Sequence, residues 1–450
     1  MSTPEDAPAD DGRSRRKQAP RSGHADWHPS IDRRDPVAIL IESSVGRVEH
    51  LLPIRYGRML QSPFSFYRGA AAIMADDLAQ TPNTGLRVQA CGDCHAMNFG
   101  IFATPERRLI FDVNDFDETL PAPWEWDVKR LAASFVIAGR HNEFKPTQAR
   151  AAALACLRSY REQMARYATM APLDIWYESV DVDELLARLS DKAFDKRDVR
   201  EIRKAAHGFT DRGSPKLLDA RSAEPRIHDD PPLIYHPQHA EAVEFISHVR
   251  QSFHAYRQSL SDERRVLLDR YKLIDHAVKV VGVGSVGTRC GVLLLMAEPR
   301  DILFLQVKEA RPSVLEPIVD KCLYGNNGQR VVIGQRLMQA ASDLFLGWTR
   351  AETGRDFYVR QLRDIHVKPV VEVYNPAMMA GFASSCGWVL ARAHARSGEP
   401  RAISAYLGTG DRFDEAVADF AESYADQNDE DFRTFTKAVS DGRLPAEVDR

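Results

Sequence analysis

Cys91-Gly92-Asp93-Cys94-His95, with Asn98 close behind, compresses several kinds of chemistry into one short stretch. Read as C-x-x-C-H, it has the spacing that tethers a c-type haem. Read as half of a zinc site, it needs a second ligand pair, and no other C-x-x-C exists in the chain. Asp93 and Asn98 give a third chemistry. A carboxylate can orient a substrate hydroxyl and accept its proton. An amide oxygen five residues on can take Mg2+, which prefers hard oxygen ligands. The plainest reading is two small, partly buried cysteines flanking a turn.

A second acidic stretch, "DVNDFDE", follows at once, with Asp112, Asp115 and Asp117 at the end of an expected strand. Clustered carboxylates repel unless a cation or hydrogen bonds neutralise them. Asp93, Asn98, Asp115 and Asp117 together suit a Mg2+–phosphate site; solvated loop acids are the alternative. His95 could brace the loop by hydrogen bonds or be a satisfied structural histidine. Asp127, in "PWEWDVKRL", could simply cap its helix.

Gly282-Val283-Gly284-Ser285-Val286-Gly287 is a G-x-G-x-x-G following a strand. A dinucleotide fold would need a helix directly after the third glycine. "TRCGVLLLM" follows instead, a β-rich run. Strand, glycine loop and strand is the arrangement of a phosphate lid, where glycine amides approach phosphate oxygens with no Cβ in the way. A plain glycine-rich hairpin is the alternative. Lys308, in "FLQVKEA", lies inside a mostly apolar strand, where a charge is costly without a partner. A nucleotide phosphate and a helix carboxylate are suitable partners, and Glu316 in "SVLEP" is the nearest such carboxylate. Glu309 should face the other side of the strand.

The elements that must position these residues are legible in outline. Residues 1–35 are rich in Pro, Asp, Arg and Ser and predict a mobile arm. Helical spacing begins at "DPVAILIESS" and resumes at "SPFSFYRGAAAIMADDL". Arg68, beside aromatics there, could line an acceptor site, but the apolar spacing is what a buried helix needs, and that reading is adopted. "LRVQA" and "RRLIFDV" predict strands, joined as a hairpin through "ATPER". The pattern from "WEWDVKRL" to about residue 205 is mostly helical. A proline-bearing, loop-rich stretch over 208–240 is the expected boundary between lobes. "AVKVVG", "GVLLLMA" and "ILFLQVKEA" predict a three-stranded antiparallel meander. Two helices and a strand at "FYVRQL" should follow, and the end is helical.

Composition bounds the partners. The 450 residues are 44% hydrophobic and 28% charged, with a net charge of −4. That gives no bulk attraction to nucleic acid or anionic membrane. The first residues are acidic and polar rather than signal-like, and no apolar run is long enough to span a bilayer. Six scattered cysteines without an export signal are expected to be reduced thiols, and the cytoplasm is the default location.

"PIRYGRMLQSPFSFYRGAAAIMADDLA", "GDCHAMNFG", "FDVNDFDETLPAPWEWDVKRLAASF", "FLQVKEARPSVLE", "GQRLMQAASDLFLGWTR" and "FYVRQLRD" resemble the bacterial domain of unknown function 2252 family. More distantly, "GDCHAMNFG" followed by "DVNDFDE" resembles the G-D-x-H-x-x-N … I-D-F-D signature of aminoglycoside phosphotransferase-like kinases. That resemblance makes Asp93 the catalytic aspartate. Asn98 and Asp115 become Mg2+ ligands assisted by Asp117, and Asp127 a helix aspartate bracing the catalytic loop from behind. "GWVLARAHARSG" is similar to the helix that precedes the catalytic loop in those enzymes. Their glycine loop and lysine come first; here they lie about 190 residues after Asp93. A circular permutation reconciles the orders.

The resulting expectation is an α+β, protein kinase-like, two-lobed fold in permuted order. A helical lobe spans 36–264, a β-lobe 265–365, and C-terminal helices over 366–450 complete the first lobe. ATP and Mg2+ would bind between the lobes, with Gly282, Gly284, Gly287, Lys308 and Glu316 on the nucleotide. The acceptor, a small molecule or protein, is not legible. A nucleotide-binding module without transfer, and a nicotinamide-dependent oxidoreductase using the glycine motif, are the rivals.

Overall fold

Aliphatic residues dominate "CGVLLLM" and "ILFLQVKEA", and a strand sends alternate side chains to opposite faces. In the computed structural model these runs are strands β7 (Cys290–Met296) and β8 (Ile302–Ala310). They lie at the centre of a six-stranded antiparallel sheet with β5 (Ile234–Tyr235), β6 (Lys272–Lys279), β9 (Gly347–Arg350) and β10 (Asp356–Gln361), in the order β5-β6-β7-β8-β10-β9. The structure describes residues 9–190, 217–219, 224–236, 251–280, 282–298, 301–362, 366–367 and 369–447.

Alternation fixes where the lysine goes. Leu303, Leu305 and Val307 pack with Leu293 and Val359 under Tyr256 and Leu260. Phe304 turns to the opposite face with Val292 and Leu294, and Lys308 shares that side of the strand. Lys308 sits directly between Cys290 of β7 and Tyr358 of β10.

The expected meander β6-β7-β8 is present, and 290–296 is strand rather than helix. That removes the nicotinamide reading, which needs a helix after Gly287. Ile234–Tyr235 pairs with β6, and Tyr256 and Leu260 pack in the same apolar cluster as Leu293 and Leu305. One helix, Asn327–Met338, lies between β8 and β9 where two were expected.

The helical part is organised around the helix Trp124–His141, which is buried along nearly its whole length. The helices Pro146–Tyr167 and Pro376–Ser397 cross in close contact at Gly387, where a Cβ would lie 2.1 Å from the carbonyl oxygen of Cys156. Two small antiparallel sheets join this body. One pairs β1 (Arg87–Ala90) with β4 (Leu120–Pro123); the other orders β11 (His366–Val367), β2 (Phe99–Ala103) and β3 (Leu109–Val113). The hairpin through "ATPER" therefore joins β3 to β2, not to "LRVQA", because "FGIFA" is itself a strand. The predicted helical stretch over 191–205 and most of the expected boundary over 208–240 lie outside the described residues. No described helix is long and apolar enough to cross a membrane.

Residues 9–35 correct the expectation of a mobile arm. Arg16 Nε donates to the carbonyl of Tyr406 at 2.8 Å, and Arg21 to that of Leu407 at 2.6 Å. His24 is buried and bonded to the Tyr406 hydroxyl at 2.7 Å. The arginines that look solvated in the sequence satisfy carbonyls at the end of the helix Pro400–Leu407. Trp27 packs 4.9 Å from the ring of Tyr424 and 6.0 Å from that of Phe420. Trp27→Ala is therefore expected to lower unfolding stability by about 3–5 kcal/mol in urea titrations; a mobile arm would leave the midpoint unmoved.

Candidate functional site

The loop after β1 makes its turn at Gly92, whose φ is +81° and where a Cβ would lie 2.3 Å from the carbonyl oxygen of Glu118. Only glycine fits there. Behind the loop, Asp127 accepts the backbone N–H of Cys91 at 2.6 Å and of Gly92 at 3.0 Å. His394, from the helix Pro376–Ser397, places Nε2 3.2 Å from the same carboxylate. Asp127 thus holds the loop rather than capping its own helix. Arg130, one turn further along that helix, donates to Asp93 Oδ1 at 2.8 Å, its guanidinium 4.4 Å above the ring of Tyr67. Asp93 Oδ2 accepts no hydrogen bond among the described residues and lies 3.8 Å from His95 Nε2.

Asn98 Nδ2 donates to the Asp93 carbonyl at 2.6 Å, which leaves its amide oxygen free of donors among the described residues. Asp115 accepts the N–H of Asp117 at 3.1 Å. Asp117 is more heavily engaged: it takes the amine of Lys308, the Tyr358 hydroxyl at 2.8 Å and the Ser285 hydroxyl at 3.0 Å. The segments around 93–117 and 282–308 therefore meet, and Asp117 is the point of contact. Asp93, His95, Asn98, Asp115 and Asp117 line one cavity of about 290 Å3, together with Gly282, Gly284 and Ser285.

Several expectations need correction. Asp117 takes three donors in this structure, and Lys308 is its ion-pair partner. Glu316 sits in a turn, accepts the N–H of Ser313 at 3.3 Å and does not reach Lys308. No acid occurs in the helix Asn327–Met338 to replace it. Gly287 turns away from the cavity: its carbonyl accepts the N–H of Val48 at 2.7 Å. Among the described residues the Nδ1 of His95 has no hydrogen-bond partner. Glu309 pairs with Arg289 at 3.3 Å, as alternation along β8 requires.

Charges at the site are strongly perturbed. Burial works against the Lys308 amine, but Asp115 and Asp117 outweigh it and hold the amine well above its ordinary range. Burial likewise opposes ionisation of Asp117, yet Lys308 draws its carboxyl below the usual carboxylate range. Asp115 is pushed up by burial and by the charge of Asp117. Burial also raises Asp93, against the pull of Arg130. His95 falls well below its ordinary value through burial and the nearby Arg130 and Arg68, so its ring is neutral.

The haem and zinc readings find no support in this geometry. Cys91 and Cys94 are packed into the core at 1% and 0% exposure, and all six cysteines are free thiols. Among the described residues no group of three or more His, Cys, Asp or Glu side chains is placed to hold a metal ion.

Residues 47–438 match the model of a family described as an uncharacterized protein conserved in bacteria (DUF2252). The chain belongs to this family. No curated protein and no solved structure matches it. In this DUF2252 chain the family match takes in every site residue discussed above, from the loop at Gly92 to His394.

Arg130, Ser285, Tyr358 and His394 were missed from sequence. Signals existed for two of them. Arg130 lies three residues after Asp127 and so on the same helix face. Ser285 lies inside the glycine motif, where its hydroxyl reads as filler. Breaking the buried pair with Lys308→Met is expected to cost about 3–5 kcal/mol by leaving Asp117 uncompensated. Lys308→Met combined with Asp117→Leu should cost less than the two single changes added. Guanidinium unfolding of the four proteins checks this; strict additivity would mean the pair does not interact.

Proposed function

We propose that the protein is an ATP- and Mg2+-dependent phosphotransferase with a protein kinase-like fold whose lobes run in circularly permuted order. The observation that carries this reading is the meeting at Asp117. Lys308 of the β-lobe and Ser285 of the glycine loop converge on it. They do so beside the cavity that Asp93, Asn98 and Asp115 line. Phosphoryl transfer asks mainly for positioning and charge neutralisation, and these are the residue types that supply both. The coarse architecture agrees: a small antiparallel β-lobe stands against a larger helical part, with the glycine loop between two strands.

On this reading Lys308 exchanges its carboxylate partner for a nucleotide phosphate. The backbone of Gly282 and Gly284 lies along the phosphates. Asp93 receives the acceptor hydroxyl on Oδ2, the oxygen that Arg130 leaves free. The residues fit Mg2+ delivered with a nucleotide rather than a resident ion. Asn98 offers an unengaged amide oxygen and Asp115 a carboxylate, and Mg2+ characteristically takes one or two protein oxygens plus phosphates and water. When bound, Mg2+ neutralises charge on the phosphate oxygens.

A second reading, a nucleotide-binding module without transfer, draws on one specific observation. Arg130 clamps Asp93 Oδ1, and a carboxylate so neutralised is a weaker base. ATP consumption with Mg2+ and pooled small-molecule acceptors separates the two.

Mg-ATP at a hundredfold excess over its Kd should stabilise the native chain by about 2.7 kcal/mol, read as a rise in Tm. ATP without Mg2+ should give less. Asp93→Ala should keep the Mg-ATP shift and lose about 10²–10⁴-fold in transfer rate. Unchanged turnover in that variant would remove Asp93 from its role.

A further inference from the structure

Four arginines on one wall of the cavity are not used by the reading above. Arg47, Arg55, Arg68 and Arg311 line the same space as Asp93. None has a carboxylate within ion-pair distance among the described residues, unlike Arg130 on Asp93 or Arg289 on Glu309. Arg47 donates to the carbonyls of Ser43 and Val286 at 3.1 and 2.6 Å, and Arg311 to those of Ser43 and Val45 at 3.0 and 2.5 Å. Arg55 is 1% exposed, bonds only to Ser44 and Ser43 hydroxyls and the Gly69 carbonyl, and leaves Nε without a partner. Among the described residues Arg68 Nε and His95 Nδ1 also lack partners.

Arg55 is buried and the other three are half-buried; guanidinium groups so placed without an anion in contact are costly, and several together more so. Burial and the repulsion of Arg55 and Arg311 press Arg47 well below its ordinary value. Burial lowers Arg55 and Arg68 as well. Glu372 and Asp93 act on Arg68, and Glu118 and Asp117 on Arg47, only from beyond ion-pair distance; a directly bonded oxyanion is what such a wall is short of, and planar guanidinium forks suit phosphate above all.

We propose that this wall binds a phosphate group on the acceptor, so that the substrate is a small phosphorylated alcohol. The proposal rests on the phosphotransferase reading for the word acceptor, and the arginine site can be tested apart from it. The nucleotide phosphates belong with Lys308 and the glycine loop. Arg55 and Arg68 come from the helices Leu52–Met59 and Pro63–Gly69, ahead of the loop that carries Asp93. Arg68 lines the cavity with Asp93, and the two feel each other's charge, so a hydroxyl seated on Asp93 Oδ2 has that guanidinium nearby. The nucleotide phosphates share this cavity of about 290 Å3, which leaves room for a small molecule only.

The test uses the full chain saturated with Mg2+ and a non-hydrolysable ATP analogue, at constant ionic strength. Inorganic phosphate should raise the Tm further and saturably; acetate at equal concentration should not. Arg68→Gln and Arg55→Gln should lose the phosphate response while the Mg-analogue response persists. Arg311→Gln, on the half-buried part of the wall, gives the same readout if Arg55→Gln does not fold. No phosphate response, a response abolished by the saturating analogue, a response kept in the arginine variants, or an equal response to acetate each overturns the proposal. A phosphate response that depends on the arginines, with no response to the analogue, would sink the nucleotide reading and leave the arginine site as a phosphate site.

Discussion

A lysine amine cannot stay charged in a sheet interior without an anion beside it, and Asp117 is that anion for Lys308. The two residues are 191 positions apart, and the side chain of Lys308 is 4% exposed. Dehydrating both charges costs several kcal/mol per ion, and attraction offsets this only when the remaining hydrogen-bonding positions are filled. Tyr358 from the neighbouring strand and Ser285 from the glycine loop fill them. One carboxylate thus ties together β8, β10, the glycine loop and the loop after β3. The relative position of the β-lobe and the acidic loops follows from it.

The other loop of the site is held by a separate device. Asp127 gathers the N–H groups of Cys91 and Gly92, and His394 approaches the same carboxylate from the last third of the chain. Two residues earlier in the same helix, Arg392 makes a fully buried pair with Asp112 of β3, at 2.6 Å. Both acidic stretches are therefore braced by one helix that arrives late in the sequence. A site built this way depends on which elements pack together, not on the order in which the chain delivers them. The long-range bonds make that possible: each joins residues more than 200 positions apart at little additional cost in chain entropy, because closure entropy grows only logarithmically with loop length.

How much of this the sequence disclosed depended on the range of the interaction. Period-two alternation exposed the β6-β7-β8 meander and separated Lys308 from Glu309. The five-residue interval from Asp93 to Asn98 was legible because both lie in one loop. Glu316 was assigned by proximity along the chain, and that failed because the true partner of Lys308 lies in another part of the fold. "FGIFA" was hidden by its position inside a motif read as loop, so β2 was missed and β3 was paired wrongly. The N-terminal arm misled for a compositional reason. Arginines and prolines signal solvation only when nothing apolar accompanies them, and Trp27, with Ala19 and His24, supplies the buried contacts that anchor residues 9–35.

The glycine loop shows what the brace implies for movement. Its carbonyls are fastened from outside by residues 47–58. Val48 donates to Gly287 at 2.7 Å, Arg47 to Val286 at 2.6 Å and Arg58 to Gly282 at 2.5 Å. Val286 and Val280 pack with Leu51 and Ile54 in a small apolar cluster. A cavity of about 290 Å3 lies at the small end for a ligand the size of a nucleotide. Enlarging it by lifting the loop alone would break three backbone bonds, release the Ser285–Asp117 contact and split that cluster. Moving the loop together with residues 47–58 would release the Ser285–Asp117 contact and keep the three carbonyl bonds and the apolar packing intact. The cheaper motion is the joint one, so the wall that carries Arg47 and Arg55 and the lid that carries Gly282 and Gly284 form a single mechanical unit.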